Sequence, residues 1–254
     1  MKRLLLLPLI ALLSALAAPV MPAAAEQTGP TPFPDVKDQA AWPGKGPLKV
    51  YPYMTDNRIA FWAKRAASKN AVVFVGDSQI GGWKQVNPAT TSFPSTRLVV
   101  NRGIGGDTSR GVLWRLQEDV LDLQPTALVL LVGGNDLSAH GPTDLTIGNI
   151  TAILDATEKA VPGIPVILCN LPPRNAPAAP IKQSELTKLN GQLADLAATR
   201  NNVTLFDSFS LFALPDGMPD PQYFAKDLIH LSAAGYEKMT AAMAKVFEEK
   251  GIGK

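Results

Sequence analysis

Ala71-Val-Val-Phe-Val-Gly-Asp-Ser78 is an apolar run that breaks off in a Gly-Asp-Ser turn. Its residues are continuous and mostly β-branched, with no alternation of apolar and polar, so the pattern suits a strand covered on both faces. The turn that ends it would lift the hydroxyl of Ser78 above the edge of a sheet.

Working outward, the same kind of run recurs at Leu98-Val-Val100, Ala127-Leu-Val-Leu-Leu-Val132, Val166-Ile-Leu-Cys169 and Val203-Thr-Leu-Phe206. Helical stretches near 109–122, 143–160, 181–200 and 233–249 lie between and after them. Strands alternating with helices imply a parallel sheet joined by right-handed crossovers and sandwiched between helices. The expected fold is a single α/β domain over residues 56–254, preceded by an irregular Pro-rich segment at 26–55 that drapes over the domain through Trp42, Tyr51 and Tyr53. A helix is expected from a cap at Asp56 or Asn57 to about Lys69, contacting the domain through Ile59, Phe61 and Trp62.

Before these, Met1-Lys2-Arg3 is followed by an apolar run from Leu4 to Ala18 and by Ala23-Ala24-Ala25. A basic start, a short apolar core and small residues before Glu26 read as a signal peptide over residues 1–25, with no lasting membrane anchor and a secreted or periplasmic destination. Of the 24 Lys and Arg, Lys2 and Arg3 would leave with it, and the remaining 22 match the 22 Asp and Glu. That balance leaves no basic footprint for nucleic acid. Cys169 is the only cysteine, so no intramolecular disulfide forms. With two histidines beside it, a transition-metal site has little to work with, and no cofactor is called for.

In an open parallel sheet, ligands sit beyond the carboxyl ends of the strands. There this chain concentrates Gly76-Asp77-Ser78, Asn101-Arg-Gly103-Ile-Gly105-Gly106-Asp107-Thr108 and Gly133-Gly134-Asn135-Asp136, with Asp227-Leu-Ile-His230 before the last helix. A serine needs a base to become nucleophilic. His230, with Asp227 three residues earlier to hold its ring, offers one, whereas His140 has no such partner. Gly105-Gly106 could present backbone N–H groups, and Asn135 its side-chain amide, to a developing oxyanion. Plainer readings stand beside these: a helix cap at Ser78, a tight turn at the glycines, an Asx turn at Asn135 and a solvated turn at Asp227 to His230. Gly103-x-Gly105 fits a dinucleotide fingerprint poorly, since its third glycine would fall at Thr108.

Taken in order, the four blocks resemble those of the SGNH (GDSL-type) hydrolases. The Asn-x-Gly-Ile-Gly-Gly-Asp-Thr stretch, followed by Val112-Leu-Trp-Arg-Leu116, is similar to the platelet-activating-factor acetylhydrolase-like branch, although Gly134 stands where that branch usually carries Thr. The resemblance covers about residues 70–250. It implies a three-layer, flavodoxin-like α/β/α sandwich with a five-stranded parallel sheet, and a metal-free serine esterase. Ser78 would be nucleophile and first oxyanion donor, Gly106 the second donor and Asn135 the third, with His230 as base and Asp227 orienting it. The expected reaction is hydrolysis of small acyl esters, acetyl esters foremost, of carbohydrate or lipid through an acyl-enzyme. Rival readings are a lysophospholipase or thioesterase for longer chains, a non-catalytic carbohydrate- or lipid-binding relative and a flavodoxin-like cofactor carrier. Elsewhere, His140 and Arg174 are expected to face solvent, Trp83 to pack rather than wall a pocket, Trp114 and Leu116 to belong to the core, and Cys169 to be buried in a strand.

Overall fold

Each apolar run becomes a parallel strand in a computed structural model that describes residues 27–86 and 93–252. The expected signal peptide, residues 1–25, lies outside the described residues. The strands are β1 (Val72–Gly76), β2 (Val99–Gly103), β3 (Ala127–Leu131), β4 (Val166–Cys169) and β5 (Val203–Phe206). The helices are α1 (Pro52–Ala63), α2 (Ser78–Gly81), α3 (Ser109–Asp119), α4 (Gly134–Ser138), α5 (Thr143–Ala160), α6 (Gln183–Ala198), α7 (Ser208–Phe212) and α8 (Ala233–Lys250).

Sheet order is β2-β1-β3-β4-β5, the doubly wound arrangement whose order reverses beside β1. Every residue of β1 and β3 is buried, which is why these strands read as continuous apolar runs. On one face α1 packs against α3, α3 against α5 and α5 against α6; on the other, α8 meets α7 and the turn at Lys84–Val86. Phe74 of β1 meets Trp83, Phe93 and Phe247 of α8, and burying an aromatic or aliphatic side chain of this size contributes roughly 1.5–3 kcal/mol. Cys169 is buried at the end of β4, between β3 and β5.

Register places the candidate residues. Gly76, the last residue of β1, pairs with Gly103 of β2 on one side and Leu131 of β3 on the other. The segments that follow these three residues therefore leave the sheet side by side at the reversal point, and they carry Ser78, Gly105-Gly106 and Asn135.

The N-terminal segment is bound to the domain at many points. The buried Arg110 donates to the carbonyls of Gln39, Trp42 and Pro43, while Trp42 packs against Phe33 and Trp114. Its chain runs directly into α1, which starts at Pro52 rather than after a cap at Asp56 or Asn57. Proline at the first helical position, with its fixed φ and missing N–H, explains that earlier start. Ile59 is 53 % exposed, so it is not one of the contacts by which α1 packs; Met54 and Arg58 are buried instead.

Candidate active site

Ser78 is the first residue of α2, and Asp77 caps that helix by accepting from the Gln79 amide at 2.9 Å. The approach is tight. Gly76 has φ +156°, and a side chain there would place Cβ 1.8 Å from the Leu131 carbonyl oxygen. At Gly103 a Cβ would stand 2.2 Å from the Gly81 nitrogen, so glycine lets α2 rest on the end of β2. Close backbone packing and the Asp77 cap thus fix Ser78 over the sheet edge.

His230 reaches Ser78 from the other end of the chain. Its Nε2 lies 2.9 Å from Ser78 Oγ, and its Nδ1 lies 2.6 Å from Asp227 Oδ2. The Asp-x-x-His spacing produces this locally: Asp227 Oδ1 accepts the amides of Ile229 and His230 at 2.9 and 3.0 Å, which leaves Oδ2 for the ring. Burial alone would raise the Asp227 carboxyl, but the bonds from the His230 ring and these two amides outweigh it and hold it at about 2. An ionised Asp227 on Nδ1–H leaves Nε2 as the acceptor facing the serine hydroxyl.

Asn135, in the first turn of α4, donates from Nδ2 to the Asp107 carbonyl at 2.9 Å and lines the same cleft as Ser78 and His230. The glycine-rich loop is laced to it. Asp107 Oδ2 accepts from Arg115 Nε at 2.7 Å, and Arg115 Nη2 donates to the Gly76 carbonyl at 3.1 Å. Asp136 accepts the Ser109 amide and hydroxyl at 3.0 and 2.6 Å. Within this loop the Cβ position of Gly105 faces Ser78, 3.8 Å from its Cβ. Gly106, at φ +78°, turns its Cα toward Tyr51, Tyr53 and Met54 instead and is not among the residues lining the cleft.

That cleft has a volume of about 140 Å³ and is walled by Gln79, Gly134, Ser138, Leu171, Arg174 and Ile229. Arg174 corrects the expectation of a solvent-facing loop arginine: it is only 7 % exposed. Its Nη1 donates to the Gly134 carbonyl at 3.0 Å and its Nη2 to that of Ala179 at 3.3 Å. The Pro-rich loop after β4 folds back over the sheet edge, and that return buries the guanidinium. Beside it, burial pushes the Asp77 carboxyl up to about 7, against the pull of the Gln79 amide and of Arg174. Lys49, from the N-terminal segment, also lines the cleft. A second cavity of about 360 Å³ adjoins Ser78 and His230 on the side of Gly82, Leu231 and Tyr236.

Other expectations resolve simply. Trp83 is fully buried and donates to Thr240 Oγ1 at 2.8 Å, so it packs rather than walls the cleft. His140 is exposed. Leu116 is core, whereas Trp114 is half-buried between Phe33, Trp42 and the Arg58 guanidinium. Among the described residues, no group of three or more His, Cys, Asp or Glu is placed to hold a metal, and no helix is long and apolar enough to cross a membrane. Sequence reasoning gave no role to Lys49 and assigned Tyr53 only to draping. Arg174 did carry a signal, since it follows β4 at the same sheet edge.

Comparison with known proteins shows what the chain is similar to. The model of the GDSL-like Lipase/Acylhydrolase family matches residues 74–238. The human platelet-activating factor acetylhydrolase IB subunit alpha2 is 32 % identical over 169 residues, 66 % of this chain and 72 % of the relative. The bovine alpha1 subunit is 28 % identical over 216 residues, 84 % of this chain and 85 % of its own. Among solved structures, a GDSL-like lipase from Bacteroides thetaiotaomicron superposes with a TM-score of 0.65 at 27 % identity, covering 75 % of this chain and 97 % of that one. An acylhydrolase from Bacteroides fragilis gives 0.65 at 26 %, covering 79 % and 99 %.

Proposed function

The chain belongs to the GDSL-like lipase/acylhydrolase family and is a carboxylic ester hydrolase, and from that premise we propose that Ser78, His230 and Asp227 form its catalytic triad and act on small acyl esters. One observation carries the assignment: the continuous hydrogen-bonded line from Ser78 Oγ through both nitrogens of His230 to Asp227. Ser78 Oγ attacks the ester carbonyl carbon while His230 Nε2 takes its proton. The carbonyl oxygen becomes an oxyanion, received by the amides of Ser78 and Gly106 and by Asn135 Nδ2, whose second hydrogen is free of the bond to Asp107. Collapse of this intermediate expels the alcohol, which takes the proton from His230 and leaves an ester on Ser78. Water then repeats the sequence, releasing the acid and restoring the serine.

Support for a small acyl group comes from the cleft. The cavity lined by Asn135 is the smaller of the two, with the buried Arg174 in its wall, and suits a short acyl chain. The larger cavity beside Leu231 and Tyr236 is left for the alcohol portion. Relatives named as acetylhydrolases favour the same reading. The N-terminal sequence favours cleavage near Ala25-Glu26 and a place of action outside the cytoplasm, on extracellular or periplasmic esters of carbohydrate or lipid. Ser78→Ala is expected to keep its circular dichroism and melting temperature and to lose nearly all turnover of 4-nitrophenyl acetate. Retained turnover would reject the triad. A 4-nitrophenyl ester series should fall steeply in kcat/KM beyond short chains; a maximum at long chains would reject the acyl preference.

A further inference from the structure

We infer that Tyr53 is a positioning residue for the oxyanion pocket, acting through the peptide that joins Gly105 to Gly106. Its hydroxyl donates to the Gly105 carbonyl oxygen at 3.1 Å. That carbonyl belongs to the same planar unit as the Gly106 N–H, and in a trans peptide the two groups point opposite ways. Holding the oxygen from the α1 side therefore aims the N–H away from α1. A hydrogen bond to the carbonyl also polarises the unit and strengthens its N–H as a donor.

The surroundings fit such a role. The Cβ position of Gly105 lies 3.8 Å from Ser78 Cβ, so the loop is held between the serine on one side and α1 on the other. Gly106 sits at φ +78°, and a Cβ there would come within 3.0 Å of the Tyr53 hydroxyl, 3.2 Å of Tyr51 and 3.3 Å of Met54. Tyr53 is itself steadied by stacking on Tyr51, ring centroids 5.5 Å apart and 11° from parallel. Burial, then the neighbouring Tyr51 and Asp107, raise the phenol above its ordinary range, so the hydroxyl stays protonated and a donor. The segment before α1 is fastened to the same loop, where Thr108 Oγ1 donates to the Pro47 carbonyl at 3.0 Å, and to α5, where Lys45 and Asn149 exchange bonds of 3.2 and 2.8 Å. All of these N-terminal residues precede the stretch that matches the family, residues 74–238, so the family pattern gives Tyr53 no role.

The inference rests on the reading of Gly106 as an oxyanion donor, and the test separates the two. Tyr53→Phe, Asn135→Ala and Ser78→Ala are assayed on 4-nitrophenyl acetate, with sites counted by fluorophosphonate labelling where Ser78 is present. Losing a whole oxyanion donor costs about 10²–10³ in kcat, so removing one that only aims a donor is expected to cost Tyr53→Phe about tenfold. KM and melting temperature should hold, since the ring and its stack remain. Affinity for a trifluoromethyl ketone, which forms a tetrahedral adduct, should weaken by the same factor as kcat/KM. Wild-type kcat in Tyr53→Phe, or a change confined to KM or to melting temperature, overturns the positioning role while leaving the triad untouched. Wild-type kcat in Asn135→Ala overturns the pocket itself, and wild-type kcat in Ser78→Ala overturns the entire site.

Discussion

At the scale of single residues, Asp227 divides its two oxygens between two duties. Oδ1 takes two backbone amides and shapes the turn, while Oδ2 fixes the imidazole. Asp227→Asn separates them. An amide oxygen can still receive the backbone, but the NH₂ group would then donate to His230 Nδ1 and put the ring hydrogen on Nε2, facing the serine. A ring in that tautomer cannot accept the serine proton, so kcat should fall by about 10⁴ with the fold unchanged. Steady-state kinetics beside a thermal melt check this; a loss below tenfold would show that Asp227 serves the turn alone. Arg174 shows why some of the site was illegible in the sequence. An arginine among prolines looks solvent-bound, and only the path of the chain over Gly134 encloses it. Tyr53 was less legible still, because no spacing reveals that α1 delivers a phenol to a loop some fifty residues later.

Among the elements, the strands were the most readable because a strand covered on both faces leaves little but apolar side chains. The start of α1 was harder, since Pro52 begins it without a side-chain cap. The last helix has clearer signals. Ser232 accepts the Gly235 amide at 3.2 Å before α8, and Gly251 ends it at φ +65°. Ser232→Ala is expected to cost about 1 kcal/mol. Urea unfolding should show this as a lower midpoint at an unchanged slope; an unaltered midpoint would mean that the cap contributes nothing. The crossing of β1 between β2 and β3 explains why three of the four motif blocks fall together, since Gly76, Gly103 and Leu131 are partners in register.

For the molecule as a whole, the buried carboxyl groups under the site set a pH dependence of stability. Burial pushes Asp77 to about 7 and Asp136 to about 6, from an ordinary value of 3.8, and raises Asp107 in the same direction. Between roughly pH 4 and 7 the folded chain therefore holds protons that the unfolded chain has released, and stability falls as pH rises through that window. Asp227 has the opposite sign: its contribution is present above the ordinary carboxyl value and is lost as pH falls through about 2. Urea titrations near pH 5 and near pH 8 should give the larger unfolding free energy at the lower pH, with a smaller difference in Asp136→Asn. A larger value near pH 8 would contradict these assignments.

The distance along the chain between the two ends of the proton path has a consequence for biosynthesis. Ser78 and His230 lie 152 residues apart, and the sheet between them must be laid down before they can meet. A ribosome part-way through the message thus carries a serine with no base. On the proposed triad, full hydrolytic competence is expected only near the end of synthesis, and truncated products that lack the last helix and its preceding turn should lose most of it.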